Sequence, residues 1–387
     1  MDDNKKILQV KSYEEALEKI FIKEQVRDYS LERVRKLYEN MGFPLDGIKC
    51  IHIAGTNGKG STCQMIFSIL KQAHKKVALF TSPHLVDLRE RFQSNEGYIE
   101  KDEFVSILNY ILKFGVSLSF FELCTLIAFE FFRRKKVEYA IVEVGFGGLL
   151  DSTNIINPHI TAITSIGYDH MDFLGNTLEE ISYQKAGIIK PGIPIIYNHK
   201  NEIIEKIAYE KGAFLIFAGE KETNLLGAYQ KKNSGIAYEI AKYLGIQENI
   251  IKTGLMQVNH LGRLQYITKN LLIDGAHNED GLKELKKYID TLRKNFETIV
   301  LCFALKKGKN IDIILKIFGE QDFFVIVDSA NTFMLEASEN IQKSLLSLGK
   351  SGTILSPDEI YLLSQKNKKT LYLAFGSLYM IGEFLRF

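Results

Sequence analysis

The stretch Ile51-His-Ile-Ala-Gly-Thr-Asn-Gly-Lys-Gly-Ser-Thr62 constrains this chain more than any other. Cys50 to Ile53 is a short apolar run that reads as a buried strand. Three glycines follow within Gly55–Gly60. Apolar residues then recur at helical spacing through Cys63, Ile66, Phe67, Ile69 and Leu70. Strand, glycine loop and helix together make a phosphate cradle. Glycine lets backbone N–H groups turn inward without a Cβ clash, and the helix N-terminus attracts anions. Thr56, Asn57, Gly58 and Gly60 supply the loop backbone, Lys59 a full positive charge, and Ser61 a hydroxyl placed for the Mg²⁺ that accompanies a nucleotide. The spacing departs from the commonest phosphate loop, because Ile53 stands where its first glycine would fall and Gly60 follows the lysine. An ordinary glycine-rich βα turn is the plain alternative.

Length and charge narrow the setting. At 387 residues the chain exceeds one ordinary core, so two domains are expected. A net charge of +2 argues against nucleic acid or a membrane surface as the main partner. No apolar run approaches the roughly 18 residues of a membrane span, and Met1-Asp-Asp-Asn-Lys-Lys6 has no signal-peptide character. Cys50, Cys63, Cys124 and Cys302 are scattered among apolar neighbours, as reduced thiols of a cytoplasmic protein would be.

Along the chain, helices are predicted over 12–21, from Ser30 onward, over 98–112, 119–132 and 177–186, and in 225–244. Strands are predicted at 77–81, 139–144, 160–166, 194–197 and 213–217. Regularity falls away over Lys252–Arg263, taken as the hinge. Strands at 270–273, 298–303, 323–327 and 371–375, with helices between, form a smaller second unit. The expected fold is therefore α/β in two domains: residues 1–262 around a mainly parallel sheet with the phosphate loop, and residues 263–387 as a smaller Rossmann-like domain.

Several strand ends carry polar groups where open α/β sheets bind ligands. Thr81-Ser-Pro-His84 ends one strand, although Pro83 alone explains a turn there. Glu143 interrupts an apolar strand and is costly to bury without a cation or donors. A metal role and a buried ion pair are both open for it. Asp169, His170 and Asp172 end a third strand. Lys185 lies in a helix, and nothing local separates it from a solvent-facing lysine. Glu122 opens an apolar helix, where it favours the helix dipole or reaches a ligand.

Taken in order, these segments resemble the folylpolyglutamate synthase/dihydrofolate synthase family of the Mur ligase superfamily. The resemblance covers nearly the whole chain. Its carriers are Gly55-Thr-Asn-Gly-Lys-Gly-Ser61, Thr81-Ser-Pro-His84, Glu143-Val-Gly-Phe-Gly-Gly148 with Asp151–Asn154, Asp169-His170, Gln184-Lys-Ala-Gly187, Gln230–Asn233, Gly262-Arg263, Asp274-Gly-Ala-His-Asn278 and Gly376-Ser-Leu-Tyr379. It implies an ATP-dependent ligase that forms an acyl phosphate on dihydropteroate or tetrahydrofolate, which the amine of L-glutamate then attacks.

Residue by residue, the resemblance implies that Lys59 holds the β/γ phosphates. Ser61 and Glu143 would hold a first Mg²⁺, with His170 and a carbamylated Lys185 at a second. Asn233 would meet the base, and Arg263, Asp274 and His277 the phosphates and ribose, across domains that close on each other. The pteroate would lie near Asp28, Tyr29, Ser30, Ser82, Ser119, Phe120, Phe121 and Glu122. The two phenylalanines fit either a ring platform or the core. The family implies a cytoplasmic monomer with small-molecule partners. Departures are Leu149 for the family's Arg, His260-Leu261 for Trp-Pro, and Lys306-Lys-Gly-Lys309 for an acidic segment, a run that is able to meet the α-carboxylate of glutamate. Two other functions compete. A muramyl-type ligase needs a UDP-binding domain, for which only about 50 residues precede the loop. A nucleotide-binding regulator does not need Glu143, His170 and Lys185 together.

Overall fold

The computed structural model describes residues 9–22, 30–309, 311–319, 323–331 and 334–387. The chain divides into two compact units. One comprises Met1–Pro83, Leu88–Glu222 and Lys232–Val258; the other comprises His84–Asp87, Thr223–Lys231 and Asn259–Phe387. The expected boundary at 262/263 falls within the long segment of the second unit, and two short upstream segments group with that unit as well.

The first unit is built on eight strands: β1 (Lys49–Ala54), β2 (Val77–Phe80), β3 (Phe92–Ser94), β4 (Gly97–Tyr98), β5 (Tyr139–Glu143), β6 (Ile160–Ile163), β7 (Ile195–Tyr197) and β8 (Leu215–Phe217). Their order is β4-β3-β2-β5-β1-β6-β7-β8. The β2–β3 and β3–β4 pairings are antiparallel and the other pairings are parallel. β1 is buried over five of its six residues and β5 over all five, the continuous apolar pattern of strands covered on both faces. The helix Phe120–Lys135 is buried without a break from Glu122 to Phe132 and fills the space under this sheet. Because β1 lies between β5 and β6, the carboxyl ends of these three strands come side by side. All four cysteines are buried free thiols.

Six further strands form the second sheet: β9 (Gln265–Thr268), β10 (Leu271–Ile273), β11 (Thr298–Phe303), β12 (Phe323–Val327), β13 (Gly352–Leu355) and β14 (Thr370–Phe375). The order is β13-β12-β11-β14-β10-β9, parallel except for the β9–β10 pair. Among the described residues no helix is long and apolar enough to cross a membrane.

Some elements differ from the sequence reading. β4, β9 and β13 are short edge strands and β3 is the three-residue strand next to one; none has a long apolar run, so periodicity does not announce them. The segment 98–112 divides between β4 and a helix that begins at Lys101. A helix, Glu248–Leu255, also enters the region read as irregular. Its Gly254 looks like a breaker in sequence. In the structure it is a contact point: a Cβ there would stand 2.6 Å from Ile69 Cα, and Ser68 Oγ donates to Gly254 O at 2.7 Å. The glycine lets this helix press against the one that follows the phosphate loop.

Candidate active site

The helix Lys59–Gln72 starts from Gly58, whose φ of 90° only glycine adopts readily. A Cβ on Gly58 would stand 2.3 Å from Asn233 Oδ1, so the buried Asn233 amide lies directly against the loop. The segment after β6 clamps the loop from the other side. Thr56 Oγ1 donates to Gly167 O at 3.1 Å and accepts from Gly167 N at 3.0 Å. Asn57 N donates to Ser165 Oγ at 2.9 Å, and Asn57 O accepts from Thr164 Oγ1 at 2.6 Å. Ser61 is buried in the first helical turn.

Glu143 ends β5 and is only 3% exposed; its Oε2 accepts from Ser82 N at 2.9 Å. Beyond it the Gly145–Gly148 loop needs its glycines for close approach. A Cβ on Gly145 would strike the Phe121 ring at 2.3 Å, and one on Gly148 would stand 2.8 Å from the carbonyls of Gln184 and Lys185. The helix Leu178–Ala186 therefore lies hard against this loop and carries Lys185 into the site.

Lys59 and Lys185 converge. Lys59 Nζ donates to Gly55 O at 3.0 Å and to Thr56 O at 3.2 Å, and Lys185 Nζ donates to the same Gly55 O at 3.1 Å. Burial, reinforced by the Lys59 charge, pushes the Lys185 amine down to about 7, against the pull of Asp169 and Asp151. His170, at φ 51°, caps the short helix Met171–Leu174, and its N–H donates to Asp169 Oδ1 at 2.9 Å. Its ring is half exposed and meets Phe146 edge-on with centroids 4.9 Å apart.

The residues expected around the pteroate are less uniform. Asp28 and Tyr29 lie outside the described residues. Ser30 Oγ accepts from Glu32 N at 3.2 Å at the start of the helix Glu32–Asn40. Ser119 and Glu122 form a capping box, and Glu122 also pairs with Arg33 at 3.0 Å, so the carboxylate is held by its own helix start and a neighbouring guanidinium. Phe120 is buried, stacks on Phe21 and lies 5.1 Å from the Arg91 guanidinium. Phe121 stays half-buried beside Phe80 and the glycine loop.

In the second unit, Asp274 ends β10 and is buried. Its Oδ2 accepts from Leu264 N at 2.9 Å and its Oδ1 from Ala276 N at 2.8 Å. Burial raises its pKa against the nearby Arg263 charge. His277 Nδ1 lies 2.8 Å from Gly275 O. These three residues therefore share one strand end.

Sequence reasoning names Asp151–Asn154 only as a carrier of the resemblance and gives no role to Asp151, Thr153 or His52. Asp151 is buried and accepts from Phe146 N at 2.8 Å and Thr153 N at 2.9 Å, and its charge acts on Lys185. A carboxylate placed just after a glycine loop and followed by Ser152-Thr153-Asn154 is the one hint the sequence carries. Among the described residues no three His, Cys, Asp or Glu side chains form a metal cage. One buried carboxylate and one hydroxyl do suit Mg²⁺ that arrives with a nucleotide, since that ion takes one or two protein oxygens and completes its shell from phosphates and water.

The fold and this loop define an ATP-dependent ligase of the Mur type: the profile described as "Mur ligase middle domain" matches residues 53–273. A second profile, "Dihydrofolate synthetase, C-terminal domain", matches residues 257–331. A dihydrofolate synthase/folylpolyglutamate synthase of Bacillus subtilis is 32% identical, covering 91% of this chain and 93% of that protein. The dihydrofolate synthetase of Saccharomyces cerevisiae is 31% identical over 93% of this chain and 97% of its own length. Among solved structures, E. coli FolC in complex with DHPP and ADP superimposes with a TM-score of 0.88 at 25% identity, covering 98% of both chains. The chain belongs to the dihydrofolate synthase/folylpolyglutamate synthase family. It is an ATP-dependent glutamate ligase of folate metabolism, and the muramyl-peptide alternative falls away.

Proposed function

We propose that the protein adds L-glutamate to dihydropteroate and to tetrahydrofolate, with the first unit as its ATP-binding domain and the second as the C-terminal ligase domain. The observation that carries this reading is the meeting of Lys59 and Lys185 on Gly55 O, at 3.0 and 3.1 Å. Two lysines at the mouth of a phosphate loop are suited to a transferring phosphoryl group if one of them stays uncharged or changes sign. Lys59 and the amides of Thr56–Ser61 hold the β/γ phosphates. Asn233, against Gly58, takes part in nucleotide binding, and Arg263, Asp274 and His277 do so from the second unit.

Ser61 and Glu143 are the residues for a first Mg²⁺, and His170 with Lys185 for a second; bound there, such ions neutralise the charge between a carboxylate and a triphosphate. Lys185, with its amine near 7, is suited to carbamylation by CO₂: the unprotonated amine nitrogen bonds the carbon, one N–H proton leaves, and a neutral amine becomes an anionic carbamate. Phe121 and Ser82 border the site where the pteroate end would lie; Ser119, Phe120 and Glu122 support it from behind. We further propose a cytoplasmic monomer without a nucleic-acid partner. The deciding experiment is phosphate release from ATP and L-glutamate with dihydropteroate, tetrahydrofolate or a UDP-muramyl peptide as acceptor. Turnover is expected with the first two. Turnover with the muramyl peptide alone overturns the reading.

A further inference from the structure

His52 lies inside β1 with no exposed surface, three residues before Gly55. Its Nε2 is 2.8 Å from Thr153 Oγ1. The Thr153 hydroxyl in turn donates to Asp151 Oδ1. The hydroxyl proton is thereby committed to Asp151, so the Thr153 oxygen accepts from His52 and Nε2 carries the ring proton. Burial, helped by the Lys190 charge, pushes His52 down to about 3, which keeps the ring neutral. Its Nδ1 is buried without a hydrogen-bond partner among the described residues, a loss of about 1–3 kcal/mol for a buried polar group. An aliphatic side chain in this apolar strand avoids that loss, so stability alone does not account for a histidine here.

What the histidine secures lies at the far end of the chain of bonds. Asp151 Oδ1 receives Thr153 N and Thr153 Oγ1, and Oδ2 receives Phe146 N at 2.8 Å. Phe146 belongs to the glycine loop against which the Lys185 helix packs. Lys59 and Lys185 both lie within the electrostatic reach of Asp151.

We infer that His52 and Thr153 are positioning residues for the ligase reaction: through hydrogen bonds they fix the Asp151 carboxylate, which holds the Gly145–Gly148 backbone in place and stands as counter-charge to Lys59 and Lys185. The kinetic part rests on the ligase reading above; the bracing of the loop does not. Thr153→Val keeps the shape and deletes the hydroxyl, and Thr153→Ser restores it. His52→Leu removes the donor, and His52→Gln replaces it with an amide N–H.

Two readouts test the inference. Hydrogen exchange at the Phe146 amide should quicken in Thr153→Val and His52→Leu and return toward wild type in Thr153→Ser and His52→Gln. In the folded variants, kcat for glutamate addition should fall by about 10–100-fold in the first pair, the size of effect seen when residues that orient a functional group are lost. The KM for ATP should move by less than about twofold. The double variant should be no slower than Thr153→Val, because the two residues act in series. Unchanged Phe146 exchange in Thr153→Val, or full kcat in folded Thr153→Val and His52→Leu with only the melting temperature lowered, overturns the inference. A wild-type protein with no glutamate ligation but the expected exchange pattern overturns the ligase reading and leaves the bracing role standing.

Discussion

Lys59 and Lys185 donate to one carbonyl oxygen, that of Gly55, from two different helices and 126 positions apart in the chain. Like charges brought this close repel unless one is neutralised. The structure meets this with a depressed lysine: desolvation, reinforced by the Lys59 charge, lowers Lys185, while Lys59 itself sits half-buried on the loop. The predictions below depend on this division of roles.

Lys59→Ala should lose about 10²–10³-fold in kcat, the effect of removing one preorganised group that stabilises the transferring phosphoryl. Its partners are two loop carbonyls at a half-buried position, so the melting temperature should change little. Turnover near wild type at saturating ATP would remove Lys59 from the reaction.

Glu143→Gln should shift the Mg²⁺ dependence of activity to higher concentration while the fold survives. The amide oxygen still accepts from Ser82 N, but the charge that would hold the ion is lost. Superimposable Mg²⁺ titrations of mutant and wild type would make Glu143 a structural residue.

Lys185→Ala should be inactive, and short carboxylic acids in solution should restore part of the rate by filling the vacated position. Lys185→Arg should resist rescue, since it fills the space with a permanent cation. In the wild type, added bicarbonate should raise activity more above pH 7 than below it, because only the unprotonated amine adds CO₂. Full activity of Lys185→Ala, or no CO₂ adduct by ¹³C NMR, would count against carbamylation.

Lys185 also links stability to pH. Its folded value of about 7 lies below its ordinary 10.5, so between these values the unfolded chain binds more protons than the folded one. Stability contributed through this site therefore rises with pH across that window, and the folding penalty is fully present below it. In metal-free and CO₂-free buffer, Lys185→Met should exceed wild type in stability by most at pH 7 and below, with the gap closing toward pH 10.5. A gap independent of pH would show that the lysine is not desolvated.

Much of the candidate site is legible because it lies in short contiguous motifs at strand ends. The loop Gly55–Ser61 and Glu143 are each marked by a residue type out of keeping with its neighbours, whereas Lys185 is marked only by the resemblance carried by Gln184-Lys-Ala-Gly187. What escaped was whatever depends on pairing across the fold. Glu122 reads as a possible ligand until Arg33, 89 residues earlier, is seen to pair with it. His52 reads as part of an apolar strand until Thr153 appears beside it, 101 residues away. Edge strands such as β13 escape because partial burial leaves no apolar run, and the helix Glu248–Leu255 runs into the region read as irregular, where a close-packing glycine such as Gly254 and a helix-breaking one look alike in sequence.

The hydrogen bonds that tie Thr56 and Asn57 to Thr164, Ser165 and Gly167 have a thermodynamic consequence. A flexible glycine loop would surrender backbone freedom when it wraps a triphosphate, at about 1–2 kcal/mol per residue fixed. Here that freedom is already spent during folding, on bonds to a neighbouring strand end. Nucleotide capture by this loop should carry a small ordering entropy, and cutting the tie with Thr164→Val should show in calorimetry as a less favourable binding entropy at nearly the same enthalpy.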